Sequence, residues 1–302
     1  MQYKKAVETE CLTKAYRSKV VLNNLTLSIS RGEVVGVLGP NGAGKSTLLR
    51  LLIGAIRQTS GSVRVLDKEI GALLLRGRIG YLPEECPLLE FLSPGEMLLL
   101  HASLAGMSRS ESGPRISTAL DRVGLTAGRR IGELSRGMRQ RLGIVMATLY
   151  TPDLVILDEP TSALDHSGTA ILREMIVELS AVGTTVLISS HLLTEIETAC
   201  SRVIILNRGE VAADGTVPEL AAFTSRIDVE VSALNDKALQ AVERVSARVE
   251  YEAGSPNRLT VYVAQKSDAS AVASALVENG AGLINLEPRM ETLEELFVRL
   301  TG

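Results

Sequence analysis

The sequence is poor in cysteine, in net charge and in long apolar runs, and each shortage removes a class of protein. Its 3 cysteines, Cys11, Cys86 and Cys200, lie far apart and form no C-x-x-C pair. That spacing argues against a disulfide scaffold and a zinc site, and it fits an intracellular protein. Lysine and arginine number 32 against 35 aspartate and glutamate, a formal net charge of −3. A general nucleic-acid binder needs a clear basic excess, so no direct nucleic-acid partner is expected. The richest apolar stretch, Leu48 to Ile56, is broken by Arg50. It falls far short of the roughly 20 residues that a membrane-spanning helix needs. Met1-Gln2-Tyr3-Lys4-Lys5 is polar and leads into no apolar signal core. The chain is therefore expected not to enter a membrane unaided.

What is present is a chain of 302 residues with 45% hydrophobic content. At roughly 150 residues per domain this suggests about two domains. Short apolar runs at Val34–Leu38, Leu154–Leu157, Thr185–Ser189 and Val203–Leu206 read as central strands. Helical periodicity fills the segments between them, at Ser46–Ile56 and Thr169–Ala181. Strands alternating with helices predict an α/β layered domain with a largely parallel sheet. Residues 85–149 instead show three helical patterns, Pro94–Ala105, Glu111–Val123 and Arg136–Leu149, and no strand. They read as a helical insertion.

A hairpin is expected at Asn207-Arg208-Gly209-Glu210, then a loop at Asp214-Gly215-Thr216 and a short helix to about Ala222. Beyond this the pattern becomes strand 226–232, helix 236–245, strands 248–252 and 259–263 around the turn Gly254-Ser255-Pro256-Asn257, helix 269–278, strand 283–287 and a last helix 292–300. The order β-α-β-β-α-β is that of a ferredoxin-like unit. The charge balance also turns acidic here. Two domains are expected, 1–223 and a small α+β domain at 224–302.

Gly39-Pro40-Asn41-Gly42-Ala43-Gly44-Lys45-Ser46-Thr47 fits G-x-x-x-x-G-K-[ST] and follows the first of these strands. Glycines let several N–H groups converge on a phosphate chain. Lys45 adds a point charge for the β- and γ-phosphates, and the Ser46 hydroxyl suits Mg2+. The run Leu154-Val155-Ile156-Leu157-Asp158-Glu159 ends a buried strand in two carboxylates. A lone Asp-Glu is often a solvated strand end. Downstream of a phosphate loop it places Asp158 to hold Mg2+ through water and Glu159 to orient the attacking water or take its proton. Leu134-Ser135-Arg136-Gly137-Met138-Arg139-Gln140-Arg141 opens a helix just before that strand. Ser135 suits the N-cap and Gly137 leaves the backbone open, which fits either a phosphate or a plain helix start.

With these motifs in this order, the chain resembles the nucleotide-binding subunit of an ATP-binding-cassette (ABC) transporter from about Val7 to Leu220. The Leu134–Arg141 segment resembles that family's signature. The resemblance implies a P-loop ABC ATPase core with a helical subdomain, ATP and Mg2+ as cofactors, and head-to-tail pairing of two copies. Each ATP would then lie between the Gly39–Thr47 loop of one copy and Ser135 and Gly137 of the other. Tyr16 matches the aromatic that stacks on adenine, although an ordinary strand-edge tyrosine reads the same. Ser162-Ala163-Leu164-Asp165 matches the D-loop at the dimer interface. His191 matches the histidine that contacts the γ-phosphate and the attacking water; His101 and His166 match nothing. Glu84, in Ile79-Gly80-Tyr81-Leu82-Pro83-Glu84, stands where the family usually has glutamine near the metal. It would add a carboxylate ligand there. The Tyr-Leu-Pro-Glu spelling and Leu-Ser-x-Gly-Met-Arg-Gln-Arg both resemble export-permease members.

An integral membrane permease on a separate polypeptide is implied as partner, docking on the helical insertion and the groove near Glu84 to Leu92, where apolar residues such as Phe91 and Leu92 are either contacts or part of the core. The chain is then peripheral, on the cytoplasmic face of the membrane. A cassette that powers a membrane machine without moving a solute stays open. A soluble ABC ATPase of ribosomes or DNA fits less well, with one cassette and no long coiled coil between the two ATP motifs.

Overall fold

A computed structural model of the chain describes residues 4–69, 77–190, 193–222, 225–252, 255–290 and 292–302. The chain divides into two compact units, Met1–Gly215 and Thr216–Leu300. The boundary expected at 223/224 lies outside the described residues.

The first unit holds two sheets. β1 (Lys5–Tyr16) and β2 (Lys19–Ser30) pair antiparallel. After β3 (Val34–Leu38) and α1 (Lys45–Leu52), β4 (Ser60–Val65) joins the other edge of β1, followed by the short β5 (Lys68–Glu69). The resulting order is β2-β1-β4-β5. Polar and apolar residues mix along β1 and β2, and Thr9 shows how a buried hydroxyl is accommodated. It donates to the Leu25 carbonyl and accepts from the Leu27 N–H, each at 3.0 Å.

The second sheet gathers β3 with β6 (Ile79–Leu82), β7 (Leu154–Asp158), β8 (Thr185–Ser190), β9 (Arg202–Asn207) and β10 (Glu210–Thr216), in the order β10-β9-β3-β8-β7-β6. β6, β7, β8, β3 and β9 are parallel. β3, β7 and β8 are buried along their whole length, as strands covered on both faces must be. Asp214-Gly215-Thr216, expected as a loop, instead completes β10. The Arg202 guanidinium reaches Asp214 at 2.7 and 2.8 Å and ties this strand to β9. Apolar residues of both sheets and of α1, including Leu12, Leu49, Leu52, Leu154 and Ile204, form one core.

Between β6 and β7 lie α2 (Pro94–Leu104), α3 (Arg109–Arg122) and α4 (Arg136–Thr148), with their own apolar cluster around Leu98, Leu120 and Leu142. Among the described residues this insertion has no strand. The sequence sets its helix starts. Ser93 and Glu96, and again Ser108 and Glu111, form reciprocal capping boxes. Ser93→Ala is expected to cost about 1 kcal/mol. That should lower the thermal midpoint by about 2–4 °C, read by circular dichroism.

His101 on α2 stacks on Tyr150, with ring centroids 5.7 Å apart and planes 19° apart. Its Nδ1 is buried with no hydrogen-bond partner among the described residues, and burial holds the imidazole below its ordinary pKa of 6.5. The unfolded chain therefore takes up a proton near pH 6.5 that the folded chain resists, and stability falls as pH drops below that value. His101→Phe is expected to flatten the decline in thermal midpoint between about pH 7 and pH 5. An unaltered decline would assign it to other groups.

After β7 and β8 come their following helices, α5 (His166–Ala181) and α6 (Leu193–Ala199). Among the described residues no helix is long and apolar enough to cross a membrane.

The second unit begins with α7 (Val217–Ala222) and continues through β11 (Ser225–Val231), α8 (Asp236–Val245), β12 (Arg248–Glu252), β13 (Ser255–Val263), α9 (Ala269–Glu278), β14 (Leu283–Met290) and α10 (Leu293–Thr301). Its strands form an antiparallel sheet in the order β12-β13-β11-β14. Ser255, Pro256 and Asn257, expected in a turn, open β13 instead, with Glu252 opposite Ser255. Proline is tolerated at a strand start because its missing N–H costs no interior ladder bond.

Candidate active site

The site is built at the carboxyl ends of β3, β7 and β8, where open α/β sheets leave a crevice. β3 stops at Leu38 and α1 starts at Lys45, so Gly39–Gly44 must turn sharply. Gly44 holds φ +107°, and a Cβ there would lie 2.6 Å from Leu22 Cδ2. Glycine alone suits both constraints. At Gly42 nothing among the described residues lies within 4 Å of the place a Cβ would take, so there the loop presents bare backbone to open space.

Lys45 is buried. Its Nζ donates to the Gly39 carbonyl at 2.6 Å and lies 3.7 Å from Glu159 Oε1. The Ser46 hydroxyl donates to Asp158 Oδ1 at 3.3 Å. Ser189, the penultimate residue of β8, donates to the same oxygen at 2.6 Å. The Glu159 N–H in turn donates to Ser189 through both its Oγ and its carbonyl, each at 3.1 Å. These bonds fix Glu159 at φ +49°, a left-handed backbone that costs a non-glycine residue about 1–3 kcal/mol. The turn aims the carboxylate back toward Lys45 rather than along the strand. Ser189 is thus a third organiser of the acidic pair. Its signal in the sequence was the Ser189-Ser190 pair that follows the apolar run Val186–Ile188.

Most of the loop, from Pro40 to Thr47 without Ala43, joins Val21, Glu84, Glu159 and Ser162 in lining a cleft of about 390 Å³. Glu84 sits just after β6, at the cleft. On β6 itself, burial first and the charge of Asp158 second push the Tyr81 phenol above its ordinary pKa, so it stays neutral. Tyr16 closes β1 half exposed, with Lys14 Nζ 4.7 Å above its ring, and does not line the cleft. His191 lies outside the described residues.

The signature segment forms a second assembly. Ser135 caps α4, accepting from the Met138 N–H at 3.3 Å. A Cβ on Gly137 would come within 2.8 Å of the Ala163 carbonyl, so the signature and the D-loop pack backbone to backbone. Gln140 donates to the Pro160 carbonyl at 2.9 Å. Arg141 donates to Asp165 at 2.5 Å and to Ser167 at 2.9 Å. The Gly168 N–H first and Arg141 second hold the Asp165 carboxyl below its ordinary pKa. Ser135, Gly137 and Asp165 are thereby brought to one surface, and none of them lines the phosphate cleft.

The arrangement offers a bare-backbone cradle with one buried ammonium for phosphates, and hydroxyl and carboxylate oxygens beside it that suit a hard cation. Among the described residues no three His, Cys, Asp or Glu gather into a metal-binding group. This fits Mg2+, which is commonly held by one or two carboxylates together with the phosphates themselves.

Strand, glycine loop, helix and distant acidic strand end define a P-loop nucleoside triphosphatase. The family model described as "ABC transporter" matches residues 22–162. The chain belongs to the ABC transporter ATP-binding proteins, as an ATP-hydrolysing subunit. An ABC transporter ATP-binding protein of Synechocystis is 34% identical, with 97% of this chain and 84% of that protein covered. The linearmycin resistance ATP-binding protein of Bacillus subtilis is 32% identical, covering 98% of both chains. A Nod factor export ATP-binding protein of Paraburkholderia xenovorans is 33% identical, covering 98% of this chain and 97% of that one. Among solved structures, a dimeric ATP-binding cassette in a post-hydrolysis state, bound to ADP and Pi, superposes with a TM-score of 0.65. It is 28% identical and covers 70% of this chain and 98% of its own.

Proposed function

We propose that this subunit drives an export-type permease carried on a separate polypeptide, by pairing head to tail with a second copy of itself around ATP. One observation carries the reading: Ser135 and Gly137 do not line the phosphate cleft of their own chain. A nucleotide in the Gly39–Thr47 cradle is covered on one side only, and Ser135 and Gly137 of a second copy would supply the other. Two copies then make two complete sites. The dimeric form of the ADP- and Pi-bound cassette supports this pairing.

In this reading Lys45 and the loop N–H groups bind the β- and γ-phosphates, and Tyr16 stacks on adenine. Ser46, Asp158 and Glu84 would hold Mg2+, which neutralises phosphate charge when bound. Glu159 orients water and accepts its proton, held on target by Ser189. His191 contacts the γ-phosphate, and Asp165 sits at the dimer interface. Hydrolysis of this kind needs positioning and charge more than covalent chemistry, which suits a site built of backbone, one lysine and carboxylates.

The export direction is supported by the relatives named for Nod factor export and linearmycin resistance. The permease contact is placed at Glu84–Leu92, where Phe91 is 67% exposed. Leu92 is half buried against the helical cluster, so Phe91 is the apolar contact of the pair. The chain sits on the cytoplasmic face of the membrane through that contact. The test is co-purification from detergent-solubilised membranes, followed by a transport assay on the recovered complex. Recovery of a permease with ATP-dependent substrate efflux is expected. Recovery without solute movement would favour a membrane machine of another kind, and recovery with ribosomes or DNA would end the reading.

A further inference from the structure

The first unit holds a second cleft that shares no residue with the phosphate site and is apolar where that site is polar. α3 and α5 both pack on α4. The Arg122 guanidinium of α3 donates to the Glu178 carboxylate of α5 at 2.6 and 2.9 Å. Between these helices remains a cleft of about 530 Å³, with both members of that bridge in its lining. Val145 and Leu149 at the end of α4, with Met175 and Leu179 of α5, form its floor, each no more than 8% exposed. Small-molecule sites measure roughly 300–1,000 Å³, and a concave apolar surface open to water is their usual mark. The thioether of Met175 lets such a floor adapt to the shape of an occupant.

The polar groups around this floor are few and mostly spent. Thr118 and Thr148 line the cleft, but their hydroxyls donate to the Pro114 and Ile144 carbonyls of their own helices, at 3.1 and 2.9 Å. Charge in the lining comes from Arg115, Arg122 and Glu178, two cations against one anion. The two-pronged bridge to Glu178 neutralises Arg122. Arg115, about two turns back on α3, is exposed at the rim and carries the unmatched positive charge. Glu111, a turn further back, feels that charge, but its carboxylate already accepts from the Ser108 hydroxyl at 2.7 Å.

An apolar slot with one unmatched cation at its rim complements a molecule with one apolar chain and one anionic head. A cationic head would set like charge beside Arg115, and a neutral head would gain little from it. A slot walled by three helices of one chain admits a single extended tail, not the surface of a bilayer. We infer that this cleft binds a free single-chain carboxylate of the fatty-acid class, its head on Arg115 and its tail along Leu149, Val145, Met175 and Leu179. Bound there, the tail joins the helical insertion to α5, which starts directly after Asp165. The site needs no nucleotide, permease or second copy, so it stands or falls apart from the function proposed above.

The test is isothermal titration calorimetry on the full chain without nucleotide, with each ligand kept below the concentration at which it forms micelles. Decanoate is expected to bind saturably, one molecule per chain. Affinity should rise about fourfold per added methylene from octanoate to dodecanoate. Decanol and decyltrimethylammonium should bind about fivefold more weakly than decanoate, or worse. Arg115→Glu, at an exposed position outside the ATP site, is expected to reverse the order of the two charged ligands. It should leave ATP turnover and the thermal midpoint at parental values. Ala119→Phe narrows the cleft and is expected to abolish binding of the whole series. Decanoate that fails to saturate, affinity indifferent to chain length, or an unchanged ligand order in Arg115→Glu would overturn the proposal. So would parental affinity in a folded Ala119→Phe variant, or binding that requires phosphatidylglycerol vesicles, which would make the partner a bilayer.

Discussion

Replacing Glu159 by glutamine is expected to slow ATP turnover by about 10²–10⁴-fold, the usual worth of a general base, while nucleotide affinity stays near the parental value. The amide keeps the size of the side chain and the backbone bonds to Ser189, so the φ +49° turn survives. What is lost is a carboxylate able to take a proton from water beside the buried Lys45 ammonium. ATP then persists in the cleft, and the paired form should accumulate with ATP and not with ADP. Steady-state phosphate release together with size-exclusion chromatography in ATP reads both effects. Parental turnover would remove Glu159 from the reaction.

Lys45→Ala is expected to act the other way round, with affinity failing first. The ammonium reaches the Gly39 carbonyl, and so lies within the loop that would grip the phosphates. A hydrogen bond to a charged group is worth about 1.5–3 kcal/mol, which makes ATP binding weaker by roughly 10–100-fold. The truncation also leaves Glu159 in a buried pocket without that cation, so a lower thermal midpoint should accompany the weaker binding. Titration of a fluorescent nucleotide checks this. Unaltered affinity would mean that the backbone cradle alone holds the phosphates.

Legibility in the sequence followed burial and locality. β3, α8 and β12 have the bounds that the residue pattern gives, and β7 and β8 extend one residue further. Fully buried runs and capped helices write their limits into adjacent residues. The antiparallel sheet of β1, β2, β4 and β5 was not legible, because its polar and apolar residues mix and its register bears bulges such as that between Thr9 and Leu12. Loops that become strands, at Asp214–Thr216 and Ser255–Asn257, were misread for a related reason: pairing with a distant partner overrode local turn chemistry. At the site, Lys45, Ser46 and the carboxylates announce themselves by motif. The left-handed turn at Glu159 and the bridging hydroxyl of Ser189 exist only once β7 and β8 lie side by side.

The join between α4 and the chain just beyond Glu159 has a further consequence. Pro160 follows Glu159 directly and is held by Gln140, while a few residues on Ala163 packs against Gly137 and Asp165 is held by Arg141. In the proposed dimer, a displacement that starts at Glu159 would therefore be handed, within one chain, to the element that would cap the nucleotide of its neighbour. Facing copies would make a closed circuit of these connections, so that neither nucleotide is spent without the other end of the circuit registering it.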